Sequence, residues 1–188
     1  MNRGIVDRAI VFATEKHAGA VRKGTEIPYI LHPLEAAAIM AGITEDKEVI
    51  AAAVLHDVVE DAGVTADELM EQFGERVAYL VAHESENKRT GQDRALTWRV
   101  RKQETVDALR STEDIGIIAI ALGDKLSNIR SIARDYHQVG ERVWDRFNIK
   151  DKAQHGWYYS SIADALSALS GTDAWKEYRA LVDEVFGT

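Results

Sequence analysis

Residues 51–61 place four side chains that can bind a metal or move a proton at the end of an apolar run. His56 and Asp57 are adjacent, and Glu60 and Asp61 follow one helical turn later. Because side chains three and four positions apart share a helix face, a helix here would crowd these groups together. Ionisable groups are costly to bury unless they are paired or coordinate a metal. The segment therefore indicates a metal or proton-transfer site, although an acidic helix end that points into water would show the same residues.

Two further stretches supply the remaining donors of a candidate metal site. His32 stands in the sequence Tyr-Ile-Leu-His-Pro at a loop-to-helix junction, and Asp124 stands within an otherwise apolar helical pattern. Together with His56 and Asp57 they give two imidazoles and two carboxylates. Such a mixed nitrogen and oxygen site suits Mn²⁺, Fe²⁺, Co²⁺ or Zn²⁺ better than Cu(I). Four protein ligands leave coordination positions open to water, which such an ion acidifies toward a nucleophile.

The elements that must position these residues are helical almost throughout, because apolar residues recur at helical spacing. Helices are predicted over residues 4–18, 33–41, from 46 through the His-Asp pair, 65–73, 75–83, 98–109, 114–136, around 144, 152–169 and 173–186. Residues 19–31 and 84–96 are predicted loops. No run alternates like a strand with turn signals on both sides. The sequence predicts one all-α domain over residues 1–188, without a linker.

Composition limits the classes of protein to which the chain can belong. With 188 residues and 46% hydrophobic residues it can bury a full core. It has no cysteine, so a metal must be held by His, Asp and Glu. The first residues show no signal peptide, and no apolar run approaches the length of a membrane span. We expect a soluble cytoplasmic protein that does not bind membranes.

The net charge of −8 argues against general nucleic-acid binding, which usually needs a basic face. It leaves room for a small phosphorylated substrate if basic residues gather locally. They are densest at Lys88, Arg89, Arg94, Arg99, Arg101, Lys102 and Arg110. This segment is equally well interpreted as a solvated helix face.

Histidines and tryptophans outside these stretches are assigned no chemistry. A surface or hydrogen-bonded core histidine is the more common interpretation of His17, His83, His137 and His155. The four tryptophans are spaced as core or interface anchors.

Taken in order, the motifs resemble those of the HD-domain metal-dependent phosphohydrolases. The resemblance rests on Arg22-Lys23, Pro28-Tyr-Ile-Leu-His32-Pro33, Leu55-His56-Asp57-Val-Val-Glu60-Asp61 and Gly123-Asp124-Lys-Leu-Ser-Asn128-Ile-Arg130. Within that family the motifs are most similar to the hydrolase domains of the RelA/SpoT group. Because no second domain for alarmone synthesis is seen, the chain most resembles stand-alone small alarmone hydrolases of the metazoan SpoT homologue type.

The resemblance implies an HD-domain helical bundle, an Mn²⁺-type ion and hydrolysis of the 3′-pyrophosphate of (p)ppGpp to GDP or GTP plus pyrophosphate. The implied metal ligands are His32, His56, Asp57 and Asp124. The implied catalytic pair is Glu60 and Asp61, which orient or deprotonate the attacking water. The implied substrate contacts are Arg22, Lys23, Asn128 and Tyr158.

Two alternatives remain open at this point. The chain could be an HD phosphohydrolase for another nucleotide, such as a 3′-phosphorylated or NADPH-like dinucleotide, or a nucleotide-sensing HD domain without turnover. The intact Glu60-Asp61 pair argues against the sensor, because a pure binder needs no general base beside its metal. In each case the partner is a small nucleotide, and the sequence leaves open whether the chain forms a homo-oligomer.

Overall fold

The computed structural model describes residues 4–86, 89 and 91–187. Its α-helices are α1 (Ile5–Lys16), α2 (Leu31–Ala41), α3 (Lys47–Leu55), α4 (Val58–Ala62), α5 (Ala66–Phe73), α6 (Glu75–Glu84), α7 (Arg94–Ser111), α8 (Ile115–Val139), α9 (Lys152–Ala165) and α10 (Asp173–Phe186). Short 3₁₀ helices span Gly140–Arg146 and Ser167–Leu169. Within the described residues there is no β-strand, and an isolated bridge pairs Val21 with Pro28. The prediction of an all-α fold is confirmed.

The chain divides into two compact units. The first comprises the residues up to Ser85 together with Ile115–Asp124, and the second comprises Glu86–Asp114 together with the residues from Lys125 onward. The expectation of one domain over residues 1–188 stays a prediction. Among the helices that the structure describes, none is long and apolar enough to cross a membrane.

Helix α3 is the centre of the first unit, where it packs against α1, α2 and α6. The Asp46 carboxylate begins it by accepting hydrogen bonds from the backbone N–H groups of Glu48 and Val49. Each residue from Ala51 to Leu55 is fully buried. The apolar sequence of α3 thus places this helix in the core. His56 and Asp57 follow it directly and are therefore attached to a buried segment.

The second unit has an aromatic core in which α9 packs against α7 and α10. Two of its large aromatic side chains donate hydrogen bonds to backbone carbonyls. The Tyr178 hydroxyl donates to the Tyr159 carbonyl at 2.9 Å, and Trp175 Nε1 donates to the Ala163 carbonyl at 3.0 Å. These bonds allow large rings with polar edges to be buried without loss of hydrogen bonding.

Some predicted element boundaries are wrong. The helix expected to run through the His-Asp pair ends at Leu55, and α4 begins at Val58. The helix expected over residues 152–169 is interrupted after Ala165. Helix α7 begins earlier than predicted, at Arg94, because the Asp93 carboxylate accepts a hydrogen bond from Ala95 N at 2.7 Å. Residues 87, 88 and 90 lie outside the described residues, and one of them is Lys88 of the predicted basic segment.

Candidate metal centre

The break between α3 and α4 turns His56 and Asp57 toward the same point. His56 Nδ1 lies 2.8 Å from the carbonyl oxygen of Ala53. Since a carbonyl only accepts, Nδ1 must carry the proton, and this leaves the lone pair on Nε2. A backbone carbonyl that fixes the tautomer in this way is the usual support of a metal-binding imidazole.

The four predicted ligands lie together in the first unit. Asp57 Oδ2 is 3.1 Å from His56 Nε2 and 3.4 Å from His32 Nε2. Asp124 Oδ1 is 3.1 Å from His32 Nε2 and 3.7 Å from His56 Nε2. One donor atom from each of His32, His56 and Asp124 lies within 4.8 Å of the others. Donors that share one ion at about 2.1 Å lie roughly 3 Å apart, so these separations fit a common ion.

The surroundings of His56 Nε2 test whether these residues suit a metal. The atom is buried and makes no well-formed hydrogen bond among the described residues. Its lone pair instead faces the carboxylate oxygens of Asp57 and Asp124. The Nε2 atom and the two carboxylates are all hydrogen-bond acceptors. Their close approach at one buried point is unfavourable unless a cation lies between them. His32, His56 and Asp124 therefore form a candidate site for a divalent ion, with Asp57 beside it.

The pKa shifts of the candidate ligands also indicate that a positive charge is favoured between them. Burial alone would lower the pKa of His56, but Asp57 and Asp124 raise it well above its usual value. Burial lowers the pKa of His32 even though Asp124 opposes this effect. Burial would raise the pKa of Asp57, but His56 holds it well below its usual range. The two carboxylates therefore favour a positive charge at this point.

A close contact of helix backbones sets the position of Asp124. A Cβ atom added to Gly123 would lie 3.0 Å from the carbonyl oxygen of Ala36 and 3.0 Å from Met40 Cε. Glycine therefore permits α8 to approach α2 closely at this point. The approach brings Asp124 beside His32, which α2 carries in its first turn.

The predicted catalytic pair lies on α4, the short helix that follows Asp57. Glu60 is half-buried and Asp61 is exposed. The Tyr29 hydroxyl lies 3.0 Å from Asp61 Oδ2 and 2.7 Å from Asp57 Oδ2. Burial raises the pKa of Tyr29 far above its usual value, and Asp57 raises it further, so the hydroxyl keeps its proton. Asp61 is thus connected to the candidate metal centre by a hydroxyl group.

The predicted basic loop lies in the same unit. Arg22 N donates to the Ile27 carbonyl at 2.8 Å, and Tyr29 N donates to the Ala20 carbonyl at 2.9 Å. These bonds close a narrow turn whose arms meet at the bridge described above. The guanidinium carbon of Arg22 is 5.9 Å from the centre of the Tyr29 ring, and Lys23 is exposed. The turn therefore holds Arg22 against a residue that also contacts Asp57.

The other two predicted substrate contacts belong to the second unit. Asn128 is half-buried on α8. Tyr158 is buried on α9, and Lys102 Nζ lies 5.1 Å from the centre of its ring. The Tyr158 hydroxyl has no hydrogen-bond partner within the described ranges. The roles of both residues toward a substrate stay predictions.

Three residues of the basic segment form ion pairs with glutamates. Glu86 pairs with Arg101 and with Lys102, and Arg89 pairs with Glu104. These pairs connect the predicted loop to α7. They favour a structural role for Arg89, Arg101 and Lys102.

Two residues of the site region were assigned no role from the sequence. Tyr29 was quoted within a motif without a function, and His17 was treated as an ordinary histidine. His17 is 4% exposed, and its ring centre lies 5.0 Å from that of Tyr29. Burial lowers the pKa of His17. Tyr29 stands three residues before His32, a spacing that could have indicated a shared face, whereas nothing local distinguishes His17.

A comparison with protein families shows to which family the chain belongs. The model of the HD domain matches residues 9–149, a range that contains all four candidate ligands. The chain belongs to the HD-domain family. The match confirms the resemblance found in the motifs, and the all-α fold is that of an HD-domain helical bundle.

Curated relatives of this HD-domain protein include much longer enzymes. A guanosine-3′,5′-bis(diphosphate) 3′-pyrophosphohydrolase from Aquifex aeolicus is 39% identical over 127 residues, which are 68% of this chain and 18% of that protein. A probable GTP pyrophosphokinase from Mycobacterium leprae is 35% identical over 133 residues, 70% of this chain and 16% of that protein. The chain thus spans less than a fifth of their length.

Two solved structures of similar size resemble that of this chain. A Listeria monocytogenes protein is 30% identical, with a TM-score of 0.73 over 84% of this chain and 99% of that one. A metazoan orthologue of SpoT, described as hydrolysing ppGpp and acting in starvation responses, is 23% identical. It matches with a TM-score of 0.74 over 100% of this chain and 96% of that one. At that identity the likeness shows a shared fold.

Proposed function

We propose that this HD-domain protein is a metal-dependent hydrolase of (p)ppGpp that acts at the 3′-pyrophosphate. The products are GDP or GTP, with a free 3′-hydroxyl, and pyrophosphate. The observation that carries the proposal is the convergence of His32, His56, Asp57 and Asp124 inside the range that matches the HD domain. The Aquifex relative, named for this reaction, supports the choice of substrate.

We propose that the same four residues hold Mn²⁺. Two imidazole nitrogens and two carboxylate oxygens form a donor set that suits this ion, although Fe²⁺, Co²⁺ and Zn²⁺ share the preference. When bound, such an ion lowers the pKa of water and offsets charge on a phosphoryl group. Buried anionic ligands keep the ion in place because the pair of charges replaces two costly isolated ones.

The remaining residues act on the water and the nucleotide. Glu60 and Asp61 orient the attacking water and take its proton while its oxygen bonds to the phosphorus attached to O3′. The bond from phosphorus to O3′ breaks, and O3′ takes up the proton that the carboxylate removed from the water. Arg22 and Lys23 bind phosphates or stack on the base. Asn128 and Tyr158 contact the nucleotide.

A nucleotide panel tests this proposal. We expect turnover of ppGpp and pppGpp with added Mn²⁺, identified by chromatography as GDP or GTP and pyrophosphate. Asp124→Ala serves as the matched inactive variant. Exclusive turnover of a 3′-phosphorylated or NADPH-like dinucleotide would favour another HD phosphohydrolase. Binding of ppGpp without turnover at any metal concentration would favour a sensing domain.

Several broader properties remain part of the proposal. We retain one HD domain over residues 1–188 and a cytoplasmic location. The substrate is a small nucleotide, and neither nucleic acid nor a membrane is a partner. Light scattering of the purified protein would determine whether it forms a homo-oligomer.

A further inference from the structure

The Tyr29 hydroxyl lies between two carboxylates with different proposed roles. It is 2.7 Å from Oδ2 of Asp57, a candidate ligand, and 3.0 Å from Oδ2 of Asp61, a candidate base. A phenol carries one proton, so it donates to one carboxylate at a time or shares the proton between them. Donation to Asp61, whole or shared, holds that carboxylate to the hydroxyl oxygen, and it is favoured once a cation offsets the charge of Asp57.

The Tyr29 ring is held from several sides. The ring centres of His17 and His32 lie 5.0 Å and 5.9 Å from its own, and the Arg22 guanidinium lies over it at 5.9 Å. Its backbone is fixed as well, because Tyr29 N donates to the Ala20 carbonyl and the Tyr29 carbonyl accepts from His32 N at 2.9 Å. The ring cannot turn away without disturbing these contacts.

Asp61 needs such support more than Asp57 does. It is exposed on α4, a helix of five residues, whereas only 16% of the Asp57 side chain is exposed. A hydrogen bond to a carboxylate on a short helix favours one of its rotamers. A general base must lie within hydrogen-bond reach of the proton that it removes. Selection of one rotamer therefore affects the rate directly.

We propose that Tyr29 is a positioning residue that holds the Asp61 carboxylate at a fixed place beside the metal ligand Asp57. This inference rests on the proposed function, in which Asp61 acts on the attacking water. The role belongs to the hydroxyl group. The ring serves to place that hydroxyl.

Tyr29→Phe tests the proposal because it removes the hydroxyl and keeps the ring. At saturating Mn²⁺ we expect kcat for ppGpp to fall about 10–100-fold, as for other residues that orient a site. KM should change less than about threefold, since no substrate contact is removed. Tyr79→Phe is the matched control, because Tyr79 is 43% exposed on α6 and lies outside the site.

A double-mutant cycle separates positioning from a general structural role. If Tyr29 acts through Asp61, Tyr29→Phe should lower kcat by less than about twofold in an Asp61→Asn background. Equal losses in both backgrounds would overturn the proposal. So would loss of Mn²⁺ from Tyr29→Phe in elemental analysis with no defect at saturating metal, because the hydroxyl would then serve Asp57 alone.

Crystal structures of the wild type and Tyr29→Phe give a result that does not depend on activity. We expect the Asp61 carboxylate to leave its position beside Asp57 in the variant. An unchanged Asp61 rotamer would overturn the proposal even if the wild type hydrolyses ppGpp. Conversely, an inactive wild-type protein would defeat the proposed function, while the crystal structures would still decide what places Asp61.

Discussion

Buried histidines occur in both units, and their surroundings differ. In the second unit, His155 is 5% exposed, its Nε2 lies 2.8 Å from the Ile149 carbonyl, and its ring stacks on Trp144. In the first unit, His56 is 2% exposed and bonds to a backbone carbonyl through Nδ1, but its Nε2 faces two carboxylates. Burial lowers the pKa of His155, whereas the carboxylates raise that of His56. Burial and one backbone bond are therefore common to both histidines. The second nitrogen distinguishes a candidate ligand from a core residue.

The largest expected contrast between the two regions comes from Asp124→Ala and His155→Phe. Asp124→Ala removes an anionic ligand and should abolish both bound metal and activity. His155→Phe keeps an aromatic ring and should leave metal content unchanged, while stability falls by about 1–3 kcal/mol because the Ile149 carbonyl loses its donor. Elemental analysis, turnover and denaturant unfolding measure these effects. Full metal occupancy in Asp124→Ala would show that Asp124 is not a ligand.

The next effect concerns the acids that follow the His-Asp pair. Replacing Glu60 and Asp61 by Gln and Asn keeps their shape and removes the base. We expect kcat to fall about 10²–10⁴-fold, with metal content and ppGpp affinity within a few-fold of the wild type. Steady-state kinetics and metal analysis test this.

Two exposed acids on α5, Asp67 and Glu71, provide the matched control for that variant. Their replacement by Asn and Gln changes charge equally in the same unit and should leave kcat unchanged. If the Glu60 and Asp61 variant loses its metal, the pair supports the ligands instead of the water. If it retains full kcat, neither residue is the base.

The structure brings the predicted donors together, whereas the local geometry at His56 differs from the prediction. Asp124 was identified because a carboxylate within an apolar helical pattern needs a partner, and the structure places it beside His32. The turn at His56 was missed because a run of good helix formers carries no signal for the side-chain bond to Ala53. Helical periodicity predicted most of the helices, since it reports which face is buried.

Contacts between segments distant in the sequence could not be predicted. The hydroxyl contact of Tyr29 with Asp57 joins residues 28 positions apart, and no periodicity encodes it. The need for glycine at position 123 could not be predicted either, because it comes from the close approach of Ala36 and Met40 on α2. The candidate ligands were identified from residue types and spacing, whereas the roles of the catalytic pair and the substrate contacts came from the family resemblance, and all of them remain predictions.

A smaller effect is expected from the basic turn of the first unit. Changing Arg22 and Lys23 to Ala should raise KM for ppGpp about 10–100-fold, because charge-assisted hydrogen bonds to phosphate contribute about 1.5–3 kcal/mol. The melting temperature should be nearly unchanged, because Lys23 is exposed and the turn is closed by backbone bonds. Lys47→Ala, at an exposed position at the start of α3, is the control. A loss of folding without a rise in KM would make the turn structural.

The smallest expected effect is on the pH dependence of the free energy of unfolding. The contributions of His56 and His155 should fall in different pH ranges. In the metal-free protein the carboxylates raise the pKa of His56 above its unfolded value of about 6.5. The stability that protonated His56 contributes is therefore fully present below about pH 6.5 and is lost as pH rises through the raised pKa. Burial lowers the pKa of His155, so the titration of this residue changes the free energy of unfolding only below about pH 6.5.

Thermal unfolding from about pH 6.5 to about pH 8.5, in chelator and in excess Mn²⁺, tests this difference. With chelator we expect a decline of at most about 1.4 kcal/mol per pH unit for each proton released. With Mn²⁺ the decline should vanish, because metal binding already displaces the proton and becomes tighter as pH rises. His56→Asn should remove the decline in chelator, and His155→Phe should retain it. If the metal-free protein shows no decline over this range, His56 carries no extra proton, and the positive charge that the two carboxylates require must come from elsewhere.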